Sequence, residues 1–412
     1  MSLARAICRR RFLAGAGTAA ASAWLPAAVH AQPAPDGFRA IRALNSGYDG
    51  TIPGPTLRLK QGGELAVRLI NELDEHAAIH WHGVRLINAM DGVPMVTQPP
   101  VLPGASFDYR FRAPDAGTFW YRDYDASQID RGLYGALIVE ELEPIAVDRE
   151  ILLLLAVPGG SDGAPLRVNG SLRPDLPVQR GERLRLRLIN ATAARGVSLK
   201  LEGHAPWVMA LDGEPAEPFL ARDARVGLAP GGRADLFVDM SRDRGTIASI
   251  LAGSEPIARL VYDQANGLGG TPRADPAPLP PNPLPARIDL KGSLRVELSL
   301  DISRLAARPL DPGSPPLFTV RRGRAVTLAL RNPLAQPQVL HVHGHFFRVL
   351  DGLDDGWKPY WLDTLVVGAQ TERIAFVAHN PGKWLIDFRE LELPQRTASR
   401  NPSGAAVWFA VT

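Results

Sequence analysis

Five of the nine histidines fall in two short stretches near opposite ends of the chain, His80-Trp81-His82-Gly83 and His341-Val342-His343-Gly344-His345. In an extended segment, alternation puts His80 and His82 on one face and Trp81 on the other, and it does the same for His341 and His343 about Val342. Two such pairs brought together from separate domains offer four imidazole nitrogens, a donor set that suits copper, zinc or iron. The same four side chains also suit a hydrogen-bonded polar plug between domains. A blue copper centre needs a thiolate as well, because soft sulfur sets its geometry and potential. The only cysteine is Cys8.

Cys8 lies in a segment that reads as a removable export signal. Arg9-Arg10-Arg11-Phe12-Leu13 resembles the twin-arginine motif, an Ala/Gly-rich apolar stretch follows to Val29, and Val29-His30-Ala31 offers a small-residue cleavage site. Pro26 and the weakly apolar composition argue against a retained anchor. Residues 1–31 are therefore expected to be removed on twin-arginine export, which places the mature chain in the periplasm. No other stretch approaches the ~18 apolar residues of a spanning helix, so no integral membrane segment is expected after cleavage. Cleavage removes Arg5, Arg9, Arg10 and Arg11 and no acid, which turns the formal charge from +3 to −1. The basic balance of the whole chain thus carries no message about nucleic acid. Twin-arginine export moves folded proteins, which suits a disulfide-free chain that takes up any cofactor in the cytoplasm.

The elements that must position the histidines are legible in a repeat. A chain of 412 residues with 45% apolar and 22% charged residues is that of a soluble globular protein of two to four domains, and Gly 39 with Pro 37 favours many short strands. Leu57–Asn71, Leu176–Asn190 and Phe318–Asn332 read LRLKQGGELAVRLIN, LPVQRGERLRLRLIN and FTVRRGRAVTLALRN. Each has a glycine at its sixth position (Gly62, Gly181, Gly323) and closes on asparagine, which reads as strand, glycine turn, strand. In Leu184-Arg185-Leu186-Arg187-Leu188, period 2 predicts one apolar face and one wet face. A turn, an alternating strand, a turn and a further strand follow each repeat. The chain is accordingly expected to be all-β, with three β-sandwich domains at 36–143, 144–263 and 288–412. The Pro/Gly-rich stretch 264–287 reads as an extended linker without its own core.

Here the chain resembles the three-domain multicopper oxidases: laccases, bilirubin oxidases and bacterial copper-efflux oxidases. The resemblance covers nearly all of residues 36–412. It is carried by Ile79-His80-Trp81-His82-Gly83, by Asp91-Gly92-Val93-Pro94 with Gln98, by Gly117-Thr118-Phe119-Trp120-Tyr121, by Gly132–Ile138, by His341–His345 and by Asn380-Pro381-Gly382-Lys383-Trp384. It implies three consecutive cupredoxin-like Greek-key sandwiches, with a trinuclear copper cluster between the first and third and a blue copper in the third. By the same resemblance, His80 and His341 take the type-2 copper positions, His82 and His343 take type-3 positions, and Asp91 is the acid beside the type-2 copper. A turn aspartate is the plainer reading of Asp91.

Other family positions carry different residues. The second His-x-His reads Arg122-Asp123-Tyr124. The His-Cys-His motif reads Asp387-Phe388-Arg389. The partners of the missing thiolate fall at Gln338 and Leu393, and the weak axial ligand falls near Ala398. Phe, Gln and Leu make an apolar plug, so no blue copper is expected. Each guanidinium about 6 Å from a divalent ion, at an effective dielectric of about 20, repels it by roughly 5 kcal/mol. A salt bridge from Arg122 or Arg389 to Asp387 is expected to fill the volume of the missing copper pair.

What survives is a candidate mononuclear site: His80 and His341 with one or both of His82 and His343, and Asp387 or Tyr124 as an anionic ligand, able to hold one copper or zinc. His204 and His379 are expected to be structural loop residues and His76 to be exposed. Four-electron reduction of oxygen is not expected. The role then falls to surfaces that meet another periplasmic protein or a small molecule, or to copper chemistry or copper handling at the residual site. The family includes a copper-free, twin-arginine-exported member that supports bacterial cell division, which this chain resembles in its missing ligands and its signal.

Overall fold

The computed structural model describes residues 37–157, 159, 164–267, 273–305, 313–350, 358–392 and 404–412. The expected signal and positions Leu393 and Ala398 lie outside the described residues. Among the described residues, six β-sheets pair into three sandwiches, built from strands within Arg39–Glu140, Arg149–Gly267 and Leu294–Val411. The expected all-β architecture of three cupredoxin-like domains is what the chain adopts.

The repeat occupies the same place in each sandwich. Glu64–Asn71 lies between Arg39–Leu44, parallel, and Ser106–Arg112, antiparallel. Arg183–Asn190 lies between Arg149–Ala156 and Arg233–Asp239 with the same senses, and Ala325–Arg331 between Leu294–Ser299 and Glu372–Val377. The repeat's first strand belongs to the opposite sheet in every case: Leu57–Lys60, for example, pairs with Tyr134–Glu140. Crossing from sheet to sheet needs a left-handed residue, and Gly62, Gly181 and Gly323 supply it with φ of 74°, 85° and 84°.

The closing asparagine has a physical task. Asn71 Nδ2 donates to the carbonyls of Glu75 and Val101, both at 2.8 Å, and its Oδ1 accepts from Leu73 N at 3.0 Å. Asn190 makes the same set with Arg195, Leu228 and Thr192, and Asn332 with Gln336, Val367 and Leu334. One buried amide thus closes the loop that leaves the strand and pins it to a neighbouring chain segment. Backbone groups that would otherwise be orphaned find a partner.

The alternation in Leu184–Leu188 is real, but its second face is not wet. Arg185 and Arg187 are 0% and 1% exposed. They point at the first domain and share Asp235, which also accepts from Thr118 Oγ1 at 2.5 Å. Arg187 also donates to Thr118 and Glu150, and Arg185 pairs with Glu141 at 2.8 Å. Tertiary packing turned a polar face into an interdomain ion network, and a strand pattern alone cannot distinguish the two.

The apolar cores of the first and third sandwiches merge into one cluster that includes Val67, Leu328 and Phe409. The middle sandwich keeps its own core around Leu186 and Leu236. Strand Glu255–Gly267 runs into the expected linker. Beyond it the linker is anchored: Leu279 is buried against Met209, Ala210 and Phe237, and the Asn282 amide bonds both the N–H and the carbonyl of Ala116 at 2.8 and 2.9 Å. Among the described residues, no helix is long and apolar enough to cross a membrane.

Candidate metal centre

The merged core brings the two histidine pairs face to face. Strand Ile79–His82 runs antiparallel to Gly117–Asp123, and Gln338–Val342 lies between Gly382–Glu390 and Thr364–Val367. Trp81 points away from the pair, into Tyr109, Phe111 and Tyr121, with ring centroids 5.1–5.7 Å apart. Val342 is likewise core. His82 and His341 stack at 3.7 Å, His80 and His343 lie 4.2 Å apart, and His80 and His341 5.6 Å apart. All four are buried. His345 turns the other way, into Phe376, Trp384 and Phe409.

Glycine follows each pair for a steric reason. Gly83 has φ +84°, and a Cβ there would sit 2.5 Å from Asp363 Oδ2. Gly344 has φ +65°, and a Cβ would run into the Trp384 ring.

Hydrogen bonds fix which ring nitrogen is free. His80 Nδ1 donates to the Asp91 carbonyl at 2.9 Å, and His341 Nδ1 to the Asp363 carbonyl at 3.1 Å. Thr364 Oγ1 gives its proton to Asp363 Oδ1 at 2.7 Å, so at 3.3 Å it accepts from His82 Nε2. These bonds leave three buried lone pairs without partners, on His80 Nε2, His341 Nε2 and His82 Nδ1; the buried Nε2 atoms of His343 and His345 also make no hydrogen bond. Ligand atoms of these three residues lie within 4.8 Å of one another. Two ligands opposite each other on one ion are about 4 Å apart when each bond is about 2 Å, so small ring shifts close the site. Burial lowers the basicity of all three, most for His82; His80 falls to about 3, pressed further by His343. They are neutral, as ligands must be.

His343 is held differently. Its Nδ1 donates to Asp91 Oδ2 at 2.9 Å, and its Nε2 lies 3.5 Å from Asp387 Oδ2. Burial opposes its charge, but the Asp91 and Asp387 carboxylates outweigh burial and raise it to about 9. Both carboxylates are held well below their usual range against burial, with His343 the largest opposing influence. Arg122 and Arg389 approach Asp387 Oδ2 at 3.6 and 3.8 Å. The expected pairing is therefore present only as long ionic contacts, and a space remains between the partners. Tyr124 packs against Val93, Leu385 and Trp408, and burial raises its phenol well above the usual value, which disfavours the anionic ligand. Gln338 bonds Leu300 O and Asn332 Oδ1 at 2.7 and 2.8 Å, and Phe388 is core. His204 bonds Glu202 O and Tyr262 OH, and His379 contacts Arg85.

Sequence reasoning missed the residues that aim the imidazoles. Asp363 faces His341 Nδ1 at 3.4 Å and His82 Nε2 at 3.7 Å. Arg233 of the middle sandwich grips both Asp363 oxygens at 2.8 and 2.5 Å and also donates to Gly231 O, Asp212 O and Thr118 O. Asp212 accepts from the Asp363 and Thr364 N–H groups. Burial opposes ionisation of Asp363, but Arg233 holds it well below the carboxylate range, while burial beside Asp363 lifts Asp212 to about 7. The sole sequence signal was Asp363 in an apolar run, Trp361-Leu362-Asp363-Thr364-Leu365.

These shifts set a pH profile for the metal-free chain. His343, raised to about 9, contributes stability that is complete below the ordinary value near 6.5 and is lost as pH rises through 9. His80, lowered to about 3, contributes stability that is complete above 6.5 and is lost as pH falls toward 3. Denaturation midpoints are expected to peak near neutral pH, and His343→Gln is expected to flatten the alkaline limb and also to shift the acid limb, because His343 acts on His80, Asp91 and Asp387.

Three packed cupredoxin sandwiches, with inward-facing imidazole pairs from the first and the last, define a three-domain cupredoxin protein with an interdomain metal-type cluster. The chain belongs to the multicopper oxidase family, whose domains match residues 39–144, 155–248 and 288–387. It is 34% identical to a solved multicopper oxidase from Pseudomonas thermotolerans, covering 89% of this chain and 93% of that one with a TM-score of 0.76. It is 32% identical to Lac15 from a marine microbial metagenome, over 89% and 93% of the two chains with a TM-score of 0.73. The multicopper oxidase MmcO of Mycobacterium tuberculosis is 28% identical over 403 residues, 82% of this chain and 79% of that protein.

Proposed function

We propose that this chain is a periplasmic, twin-arginine-exported member of the multicopper oxidase family that no longer acts as a four-copper oxidase and keeps one metal site, at His80, His82 and His341. The three unpartnered, buried ring nitrogens carry this reading. Copper bound there would supply one-electron redox chemistry. The chain's own residues do the rest: Asp91, Asp363 and Thr364 hold the rings, and burial keeps them neutral. Arg122 repels further metal cations, and the Phe388 side chain leaves no sulfur to relay single electrons from outside. Asp91 is engaged by His343 and His80, which fits a positioning carboxylate better than a proton donor. The non-metal role, as a scaffold for another periplasmic protein, is the reading that the Arg122–Asp387–His343 charge cluster favours.

Metal analysis decides between them. Protein matured in copper-supplemented cytoplasm is expected to carry about one copper per chain, with a single cupric resonance and no intense blue band. It should not consume oxygen with phenols, diamines or cuprous ion. Metal-free protein of unchanged stability would leave the scaffold alone, and three or four coppers or oxidase turnover would overturn both.

A further inference from the structure

At the edge of the histidine cluster lies a cavity of about 10 Å³, lined by His82, His341, Arg122, Arg389 and Asp387 and walled by Trp120, Pro230 and Val339. That is room for about one water-sized particle. Arg122 is 1% exposed. Its Nη1 donates to the carbonyls of Asp123 and Tyr124 at 3.0 and 3.2 Å, and its Nη2 is buried with no hydrogen-bond partner. Arg389 Nη1 donates to Ala193 O at 3.1 Å. The second nitrogen of each guanidinium lies 3.6 and 3.8 Å from the same oxygen, Asp387 Oδ2, which also faces His343 at 3.5 Å. One carboxylate is thus divided among three donors and satisfies none at hydrogen-bonding distance. A buried donor left unpaired is destabilising. The positive excess and the unpaired N–H both call for an acceptor in the space they border.

We propose that Arg122 and Arg389 bind one small monovalent anion of the halide class in this cavity. The volume excludes sulfate and carboxylate-bearing metabolites. The apolar walls favour a weakly hydrated halide over fluoride, and the Arg389 side chain, 20% exposed, marks the way in. Neither guanidinium is among the proposed metal ligands, but His82 and His341 line the same cavity, so the anion is sought in copper-free protein.

The test uses chelated full-length protein with bromide as the probe. A crystal soaked in bromide is expected to show anomalous density between Arg122 and Arg389. Bromide is expected to raise the thermal midpoint more than fluoride at equal ionic strength. Arg389→Gln, with an unchanged circular dichroism spectrum, is expected to weaken bromide binding by about tenfold or more. Absence of the density, or equal bromide stabilisation of the Arg389→Gln protein, overturns the proposal. Either result leaves the copper reading intact, because copper content is measured separately.

Discussion

Replacing His341 by asparagine is expected to drop copper content from about one per chain to near zero. The change removes one of three buried ring lone pairs that have no other partner. Losing a supporting hydrogen bond typically costs 10–100-fold in metal affinity, so losing a ligand should cost more than about 100-fold. His80→Asn should match it. His343→Gln is the informative control, because His343 is held at Nδ1 by Asp91 and turns its Nε2 toward the Asp387 carboxylate, 3.5 Å away. Copper retained in that variant and lost in the other two places the ion on the His80–His82–His341 side. Copper lost equally in all three places it across the whole cluster instead. Elemental analysis and electron paramagnetic resonance on the three purified proteins read this directly.

The second large effect is on stability. Arg233→Ala removes a fully buried guanidinium that contacts all three sandwiches: Thr118 of the first, Asp212 and Gly231 of the second, and Asp363 of the third. The carboxylates of Asp363 and Asp212 then lie buried without their cation. Breaking a buried pair from one side costs about 3–5 kcal/mol. The urea midpoint is expected to fall by that equivalent, more at alkaline than at mildly acidic pH, where the stranded carboxylates take up a proton. Arg233→Met combined with Asp363→Asn should recover part of the loss. The same substitution frees the group that aims His82 and His341, so copper affinity should fall with it. An unchanged midpoint would mean the network adds nothing beyond its surroundings.

The domain plan was legible because it is written locally. The glycine of each repeat meets a left-handed requirement, and its apolar alternation serves one sheet face. The His-x-His pairs were legible for the same reason, since period 2 dictates a shared face. What escaped is non-local. Asn71, Asn190 and Asn332 look like chain-end punctuation until their carbonyl partners, four or more residues on, are in place. Arg185 and Arg187 read as solvated until a neighbouring domain covers them. Arg233 and Asp363 are separated by 130 residues and meet only in the folded chain. The space that remains between Arg122, Arg389 and Asp387 depends on rotamers and strand offsets that no spacing rule encodes.

The division of labour among the sandwiches has a consequence for biosynthesis. His82 rests on Thr364, 282 residues further along the chain, and Arg233 reaches across the gap from between them. No fragment that stops short of Thr364 contains the pocket. A nascent chain released before Thr364 lacks the partners of these imidazoles, so the loading proposed above would report that all three parts have docked.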